Sequence, residues 1–215
     1  GLLAETRVRV NPTEVQLSAP FVHLIQSVQT LTGSVPLIVG KDALLRVFMT
    51  GDQMSFFEPT VRASFYSGDE VVYSVRMLSP LYFLPVSPDQ SQLNRSYNTR
   101  VPGTVLQPGV ELVIELDPER VIPLAAGSSV RIPESGRTTL ITREVEPFRL
   151  RVVPVLAPGS PFPAYSDQIF NWTGNLSEYA DQVQYTRLVY PISEFEVDVR
   201  ETYTTLVNLS EKSGW

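Results

Sequence analysis

Through the first two-thirds of the chain, apolar and polar residues alternate with a period of two, the pattern of half-buried strands. Val8, Val10, Val15 and Leu17 mark the first such stretch, broken at Asn11-Pro12. Residues 21–31 carry Val22, Leu24, Ile25 and Val28; the spacing fits strand or short helix, and the flanking Thr, Val and Gln favour strand. Residues 43–50 are denser, with Leu44, Leu45, Val47, Phe48 and Met49 around one charge, Arg46, as in a central strand covered on both faces. Residues 61–66 and 70–77 predict a hairpin, joined by Ser67-Gly68-Asp69, where glycine supplies the positive φ of a tight turn. A Pro- and Ser-rich stretch, 78–92, reads as a long loop. Residues 98–106 and 110–116 read as two more strands, separated by Pro108-Gly109. The expected core strands are 43–50, 61–66, 70–77 and 110–116. Phe48, Phe65 and Val113 are expected core positions, each stabilising the fold by roughly 1.5–3 kcal/mol on burial.

Beyond residue 145 the pattern changes. Leu150 and Val152 alternate with Arg149 and Arg151, and a Pro-rich connector follows at 157–163. Asn175 with Glu178 three positions on has the form of a helix capping box. Leu176, Tyr179, Ala180 and Val183 then keep helical spacing until Pro191 stops the helix. Alternation resumes with Phe195, Val197 and Val199 on one face and Glu194, Glu196, Asp198 and Arg200 on the other. The order strand, helix, strand predicts a βαβ unit. The chain thus divides into a mainly β front domain at 5–145 and a smaller α+β segment at 146–215.

Composition narrows the chemistry. Lys and Arg number 17 against 23 Asp and Glu, a net charge of −6, which opposes the phosphate-neutralising role of a nucleic-acid binder. With no cysteine there is neither a disulfide scaffold nor a thiolate zinc site, and with one histidine no multi-histidine metal set can come from this chain. Proline, at 18 residues, suits strand ends and turns rather than helices. No apolar run approaches the ~18–20 residues that span a bilayer. The chain opens on Gly1 without a methionine or a signal peptide, which suggests a processed chain, and its end at Gly214-Trp215 suggests that the native protein continues.

Each candidate for chemistry has a plainer explanation. His23 sits in an apolar strand with no Gly-x-Ser-x-Gly elsewhere, so a structural role is expected rather than a triad. Glu194, Glu196 and Asp198 resemble paired carboxylates, but strand alternation accounts for them as a solvated face. Loop residues Asp89, Asn94 and Asp117 supply oxygens that leave calcium an open alternative, without the Asp-x-Asp-x-Asp-Gly loop. Arg46 reads as a strand-end or edge arginine whose head reaches water. Arg131 and Arg137 bracket Glu134 in a turn expected to be held by local ion pairs. The Asn-x-Ser/Thr matches at Asn94, Asn171, Asn175 and Asn208 matter only in a secreted eukaryotic protein. No catalytic, cofactor-binding or metal-ligating residue is assigned. Tyr82, Phe83 and Tyr97, in and beside the 78–97 loop, form a candidate ligand surface for sugar stacking, the plainer alternative being that they cover their own domain.

Three stretches together resemble the non-catalytic front region of bacterial secreted metallopeptidase-like proteins related to the zinc mucinases. They are Ser34-Val35-Pro36-Leu37-Ile38-Val39-Gly40-Lys41-Asp42-Ala43-Leu44-Leu45-Arg46-Val47-Phe48, the run from Val101-Pro102-Gly103 through Gln107-Pro108-Gly109 to Asp117-Pro118, and Arg131-Ile132-Pro133-Glu134-Ser135-Gly136-Arg137. Leu188-Val189-Tyr190-Pro191-Ile192 resembles the start of the peptidase-like part. The resemblance implies a mainly β fold, a two-sheet immunoglobulin-like β-sandwich followed by the small α+β segment. It also implies an extracellular or cell-surface location and that any zinc-binding His-Glu-x-x-His lies downstream of Trp215, since this chain has none. The function it implies is a non-catalytic accessory module, with no cofactor, that positions a downstream domain of the same polypeptide on an extracellular glycoprotein or polysaccharide. Nucleic acid and a membrane span are not expected. The alternative is a free-standing adhesive or carbohydrate-binding β-sandwich with no enzyme attached.

Overall fold

A computed structural model describes residues 13–30, 32–156, 173–176 and 181–206. The expected strand around Val8 and Val10, the 157–163 connector, Glu178 of the capping box, Tyr179 and Ala180 of the helical run, Asn171, Asn208 and the terminal Trp215 lie outside them. The chain falls into two compact units, residues 1–143 and 144–215. The protein is mainly β, with several sheets, none of them closed.

In the first unit, β1 (Leu17–Ile25), β3 (Ala43–Gly51) and β6 (Tyr97–Val101) form an antiparallel sheet in the order β1-β3-β6. A second antiparallel sheet runs β5 (Glu70–Met77), β4 (Val61–Ser67), β7 (Glu111–Leu116), β8 (Arg131–Ile132), with β9 (Thr138–Thr139) also on β7. β2 (Leu37–Ile38) and β10 (Thr142–Arg143) form a short parallel pair. Both turn expectations are met: Gly68 and Gly109 each take positive φ, at 57° and 79°.

Period-two geometry sends alternate residues of both sheets into one hydrophobic cluster. β3 contributes Ala43, Leu45, Val47 and Met49; β4 contributes Val61, Ala63 and Phe65; β7 contributes Leu112, Ile114 and Leu116. Phe65 is central, as expected. Phe48 and Val113 are also buried, but on the opposite parity, so each packs on the outer face of its sheet rather than in the shared cluster. A central strand can bury both faces wherever other chain covers it.

A close approach locks the turn before β3 to the segment after β6. Asp42 Oδ2 accepts from Arg100 Nε at 2.8 Å, and Asp42 Oδ1 accepts from the Gly103 N–H at 2.6 Å. Gly103, in a 3-10 turn (Gly103–Val105), lies against the Gly40 carbonyl so tightly that a Cβ would stand 2.1 Å from its oxygen. Desolvation pulls the Asp42 carboxyl up, but the Arg100 hydrogen bond, the Gly103 N–H and the Arg100 charge outweigh it, and the carboxyl sits below its ordinary value.

In the second unit, β11 (Phe148–Val152) and β13 (Phe195–Val199) pair in parallel, and β12 (Val155–Leu156) and β14 (Tyr203–Thr204) extend the pairing. Helix α1 (Asp181–Val189) lies between them in sequence, which makes the βαβ order expected, and it ends just before Pro191. Val183, Ile192 and Phe195 form its small core, with Phe148, Leu150, Leu176 and Val197 packed on it. Thr173 and Gly174 are helical and Asn175 is a turn, while residues 177–180, through which Asn175 would cap the following helix, lie outside the described residues.

Gly103→Ala is expected to destabilise the protein by about 2–3 kcal/mol, toward the upper end for overpacking, measured by urea denaturation. Because the folded Asp42 carboxyl sits below its unfolded value, it stabilises the fold above the ordinary 3.8 and loses that contribution as pH falls through the lowered folded value. Asp42→Asn is therefore expected to flatten the acid limb of stability against pH below about pH 5. An acid limb identical to that of the parent would refute this.

Candidate functional site: an aromatic patch on two paired loops

After β3 the chain runs through residues 52–60 before entering β4. Ser55 there forms an antiparallel bridge to Leu84 in the long loop that follows β5. Leu84 N–H donates to the Ser55 carbonyl at 2.7 Å, and Gly51 N–H donates to the Pro85 carbonyl at 2.9 Å. Gly51 has no room for a side chain, since a Cβ would stand 2.8 Å from Val15 Cγ1 and 2.9 Å from Leu84 Cδ2. Two loops are thus fixed to each other by main chain and close packing.

Ser55 and Leu84 point inward and are buried. The pleat turns their neighbours the other way. Phe56 is 80% exposed, Met54 is exposed, and Phe83, opposite Phe56 in the bridge register, is half-buried. Tyr82 beside it is 86% exposed. Phe56 and Phe83 therefore turn outward from a pinned backbone, and with Tyr82, exposed next to Phe83 in the chain, they make up the aromatic patch.

The rest of the long loop is tied to the outer face of the three-stranded sheet. Phe21 and His23 stack at 5.8 Å, and both meet the Phe48 ring edge-on, at 6.3 and 5.8 Å. His23 Nε2 lies 3.3 Å from Gln90 Oε1. Arg46 stands with its guanidinium 4.8 Å from the Phe48 ring centre, while its Nε donates to Ser96 Oγ at 3.0 Å and its Nη2 to the Gln92 carbonyl at 2.9 Å. Arg46 thus occupies a central strand, not an edge, and its head grips loop main chain. His23 has the structural role expected of it: a buried ring that anchors the loop.

The three residues expected to share a ligand surface are separated by the fold. Tyr82 and Phe83 lie on the patch. Tyr97 begins β6 with its side chain in the core, 4% exposed, and its hydroxyl donates to the Pro59 carbonyl at 2.9 Å. Burial pushes its phenol up to about 12. Tyr97 is a core residue and offers nothing to a ligand. Phe56 takes its place. Nothing in Gly51-Asp52-Gln53-Met54-Ser55-Phe56-Phe57 announced this, because an isolated two-residue bridge leaves no periodic run to read.

The other candidates are engaged structurally. Arg149 Nε meets Glu196 Oε2 at 2.9 Å and Arg151 Nε meets Asp198 Oδ2 at 2.8 Å, so the carboxylate row of β13 pairs with the arginine row of β11 in exposed ion pairs. Asp89 accepts from the hydroxyl and N–H of Ser91, which hold its carboxyl below the usual range. Asp117, buried, accepts from the N–H groups of Val121 and Ile122. Asn94 lies in a 3-10 turn, Leu93–Arg95. Contrary to the expectation of local pairing with Glu134, Arg131 bonds the carbonyls of Pro133 and Gly136. Arg137 reaches the Gly68 carbonyl, Asp69 and Glu111, and covers the Tyr66 ring. A guanidinium fork finds better-placed acceptors in fixed main chain than in an exposed glutamate.

Among the described residues, no group of three or more His, Cys, Asp or Glu side chains is placed to hold a metal ion, and no helix is long and apolar enough to cross a membrane. What the fold and the patch define is a mainly β protein with a fixed, exposed aromatic surface. No protein-family model matches the sequence, and no curated protein is significantly similar to it.

Tyr97→Phe is expected to cost about 1–2 kcal/mol, because the buried Pro59 carbonyl loses its donor. Phe56→Ala and Tyr82→Ala are expected to change stability by less than about 0.5 kcal/mol, as exposed positions do. Chemical denaturation of the three variants checks the division between core and surface aromatics.

Proposed function

We propose that the first unit is an immunoglobulin-like β-sandwich serving as a non-catalytic accessory module of a secreted or surface bacterial metallopeptidase-like protein. In this reading the patch of Phe56, Tyr82 and Phe83 holds an extracellular glycoprotein or polysaccharide, so that a downstream domain of the same polypeptide is positioned on it. Two antiparallel sheets sharing one core support the sandwich reading. The resemblance in the 34–48, 101–118 and 131–137 stretches supports the metallopeptidase association. The observation that carries the binding role is the exposure of Phe56 and Tyr82 on loops that are otherwise tightly fixed.

Aromatic rings left in water expose apolar area that a partner can cover. Their rotamer cost on binding is small, with only two side-chain torsions each, and the bridged backbone needs no reordering. Sugar rings have apolar C–H faces that pack flat on such rings, leaving hydroxyls to water.

The test is calorimetric titration of the 215-residue chain with mucin glycoprotein and a panel of soluble polysaccharides. Saturable binding to at least one is expected, weakened about tenfold or more by Phe56→Ala and by Tyr82→Ala, as for aromatic anchors elsewhere, and unchanged by exposed substitutions in the second unit. Absence of binding across the panel, or binding indifferent to both variants, refutes the role. The coding sequence after Trp215 separates the accessory reading from a free-standing adhesive module: His-Glu-x-x-His supports the former, further sandwich repeats the latter.

A further inference from the structure

A second site, remote in kind from the aromatic patch, lies between the two sheets of the first unit. A cavity of about 290 Å³ opens where the edge strand β1 faces β8 and β9 at the border of the other sheet. Its deep wall is Leu24, Leu37, Leu112 and Ile114, all buried. Val22 and Ile132, partly buried, continue it. Exposed Thr138, Thr139 and Ile141 stand at its mouth. Among the described residues, no charged residue lines it.

Protein cores leave few voids larger than a water molecule, and this one has the volume of about ten waters at ~30 Å³ each. It stays open because the loop beside it is held by hydrogen bonds that do not depend on what fills the space. Gln29 Nε2 donates to the Leu24 and Val35 carbonyls at 3.2 and 3.1 Å, and its Oε1 accepts from the N–H groups of Thr30 and Val35 at 3.0 and 2.9 Å. Gln26 does the same three residues earlier, donating to the Ile38 and Lys41 carbonyls and accepting from the Ile38 N–H. Both amides are held by main chain. The wall is preformed.

We infer that this cavity is a binding site for an uncharged apolar group, acyl or aryl, carried by a small molecule whose polar end remains at the threonine mouth. A void of about 150 Å³ suffices for benzene, so about 290 Å³ takes a fused bicyclic ring or a chain of roughly eight to ten carbons. An ionised ligand is disfavoured, since an apolar wall offers its charge no partner. Thr138, opposite Leu112, supplies a hydroxyl for a neutral polar end, whereas the Thr139 hydroxyl donates to Glu111 Oε1.

The full chain is titrated with N-phenyl-1-naphthylamine, an uncharged fluorescent probe, and the probe is then competed with 1-decanol and with indole. Saturable fluorescence enhancement is expected, with methyl NMR shifts at Leu112 and Ile114. Displacement by decanol assigns an acyl ligand; displacement by indole assigns an aryl one. Thr138→Trp, which fills the mouth, and Thr138→Glu, which puts a charge there, are each expected to weaken the probe at least tenfold, while Thr138→Val and Tyr82→Ala leave it bound. Circular dichroism verifies that each variant folds. No saturable binding, methyl shifts elsewhere, or binding that survives both the Trp and Glu variants overturns the assignment. Loss on Tyr82→Ala would place the probe on the aromatic patch and overturn it equally.

Discussion

The architecture of the first unit depends on one constraint: alternate residues of two separate sheets must reach the same apolar cluster. β3 shows how strictly it acts. Ala43, Leu45, Val47 and Met49 enter the cluster, so Leu44, Arg46 and Phe48 must take the other face. That outer face then needs its own cover, because Phe48 is large and apolar. The chain supplies it with the long loop after β5, drawn over Phe21, His23 and Phe48 by the head of Arg46 and the amide of Gln90. A charge inside an apolar strand is thereby explained: at this parity a guanidinium can cover an aromatic face and satisfy loop carbonyls together. Tyr82 and Phe83 lie in this same loop, near the part paired with Ser55, where main-chain bonds and the buried side chain of Leu84 set its position.

Most of the strand framework was legible in the sequence because it rests on local periodicity and turn chemistry. The dense run at β3 and the hairpin of β4 and β5 around Gly68 fall where alternation and a positive-φ glycine place them. Contacts between residues distant in sequence were not legible. Tyr97 adjoins a polar loop in sequence, and only the pairing of β6 with β3, which sets Tyr97 opposite Val47, sends its ring inward. Phe56 shows the converse, since its exposure follows from the bridge of its neighbour Ser55 to Leu84, 29 positions on. The arginines of the 131–137 turn likewise found acceptors at Gly68, Asp69 and Glu111 that no local reading connects to them.

The stretches 34–48, 101–118 and 131–137 are neighbours in the fold. Gly40 and Asp42 belong to the first, and they meet Gly103 of the second in the tight contact described above. Arg131 and Ile132 of the third pair with Glu115 and Ile114 of the second. Residue choice in these stretches is accounted for by packing: a glycine where a backbone passes at contact distance, an aspartate where an N–H and a guanidinium converge. Physical demands of this kind recur wherever two sheets are joined this way.

The second unit follows a different logic. A parallel pair is ordinarily apolar on both faces, because helices cover both. Here Phe148, Leu150, Phe195 and Val197 make one apolar face, whereas Arg149, Arg151, Glu196 and Asp198 occupy the other as two cross-strand ion pairs. Exposed pairs of this sort add little stability, so their main effect is on register. Shifting β13 by one residue would set Arg149 and Arg151 opposite valine or phenylalanine and turn the whole strand over. The carboxylates are thus placed by strand pairing, each facing a fixed cation. That arrangement neutralises both acids in an open, solvated row and gives neither the sheltered, unequal surroundings by which acid–base pairs divide their roles.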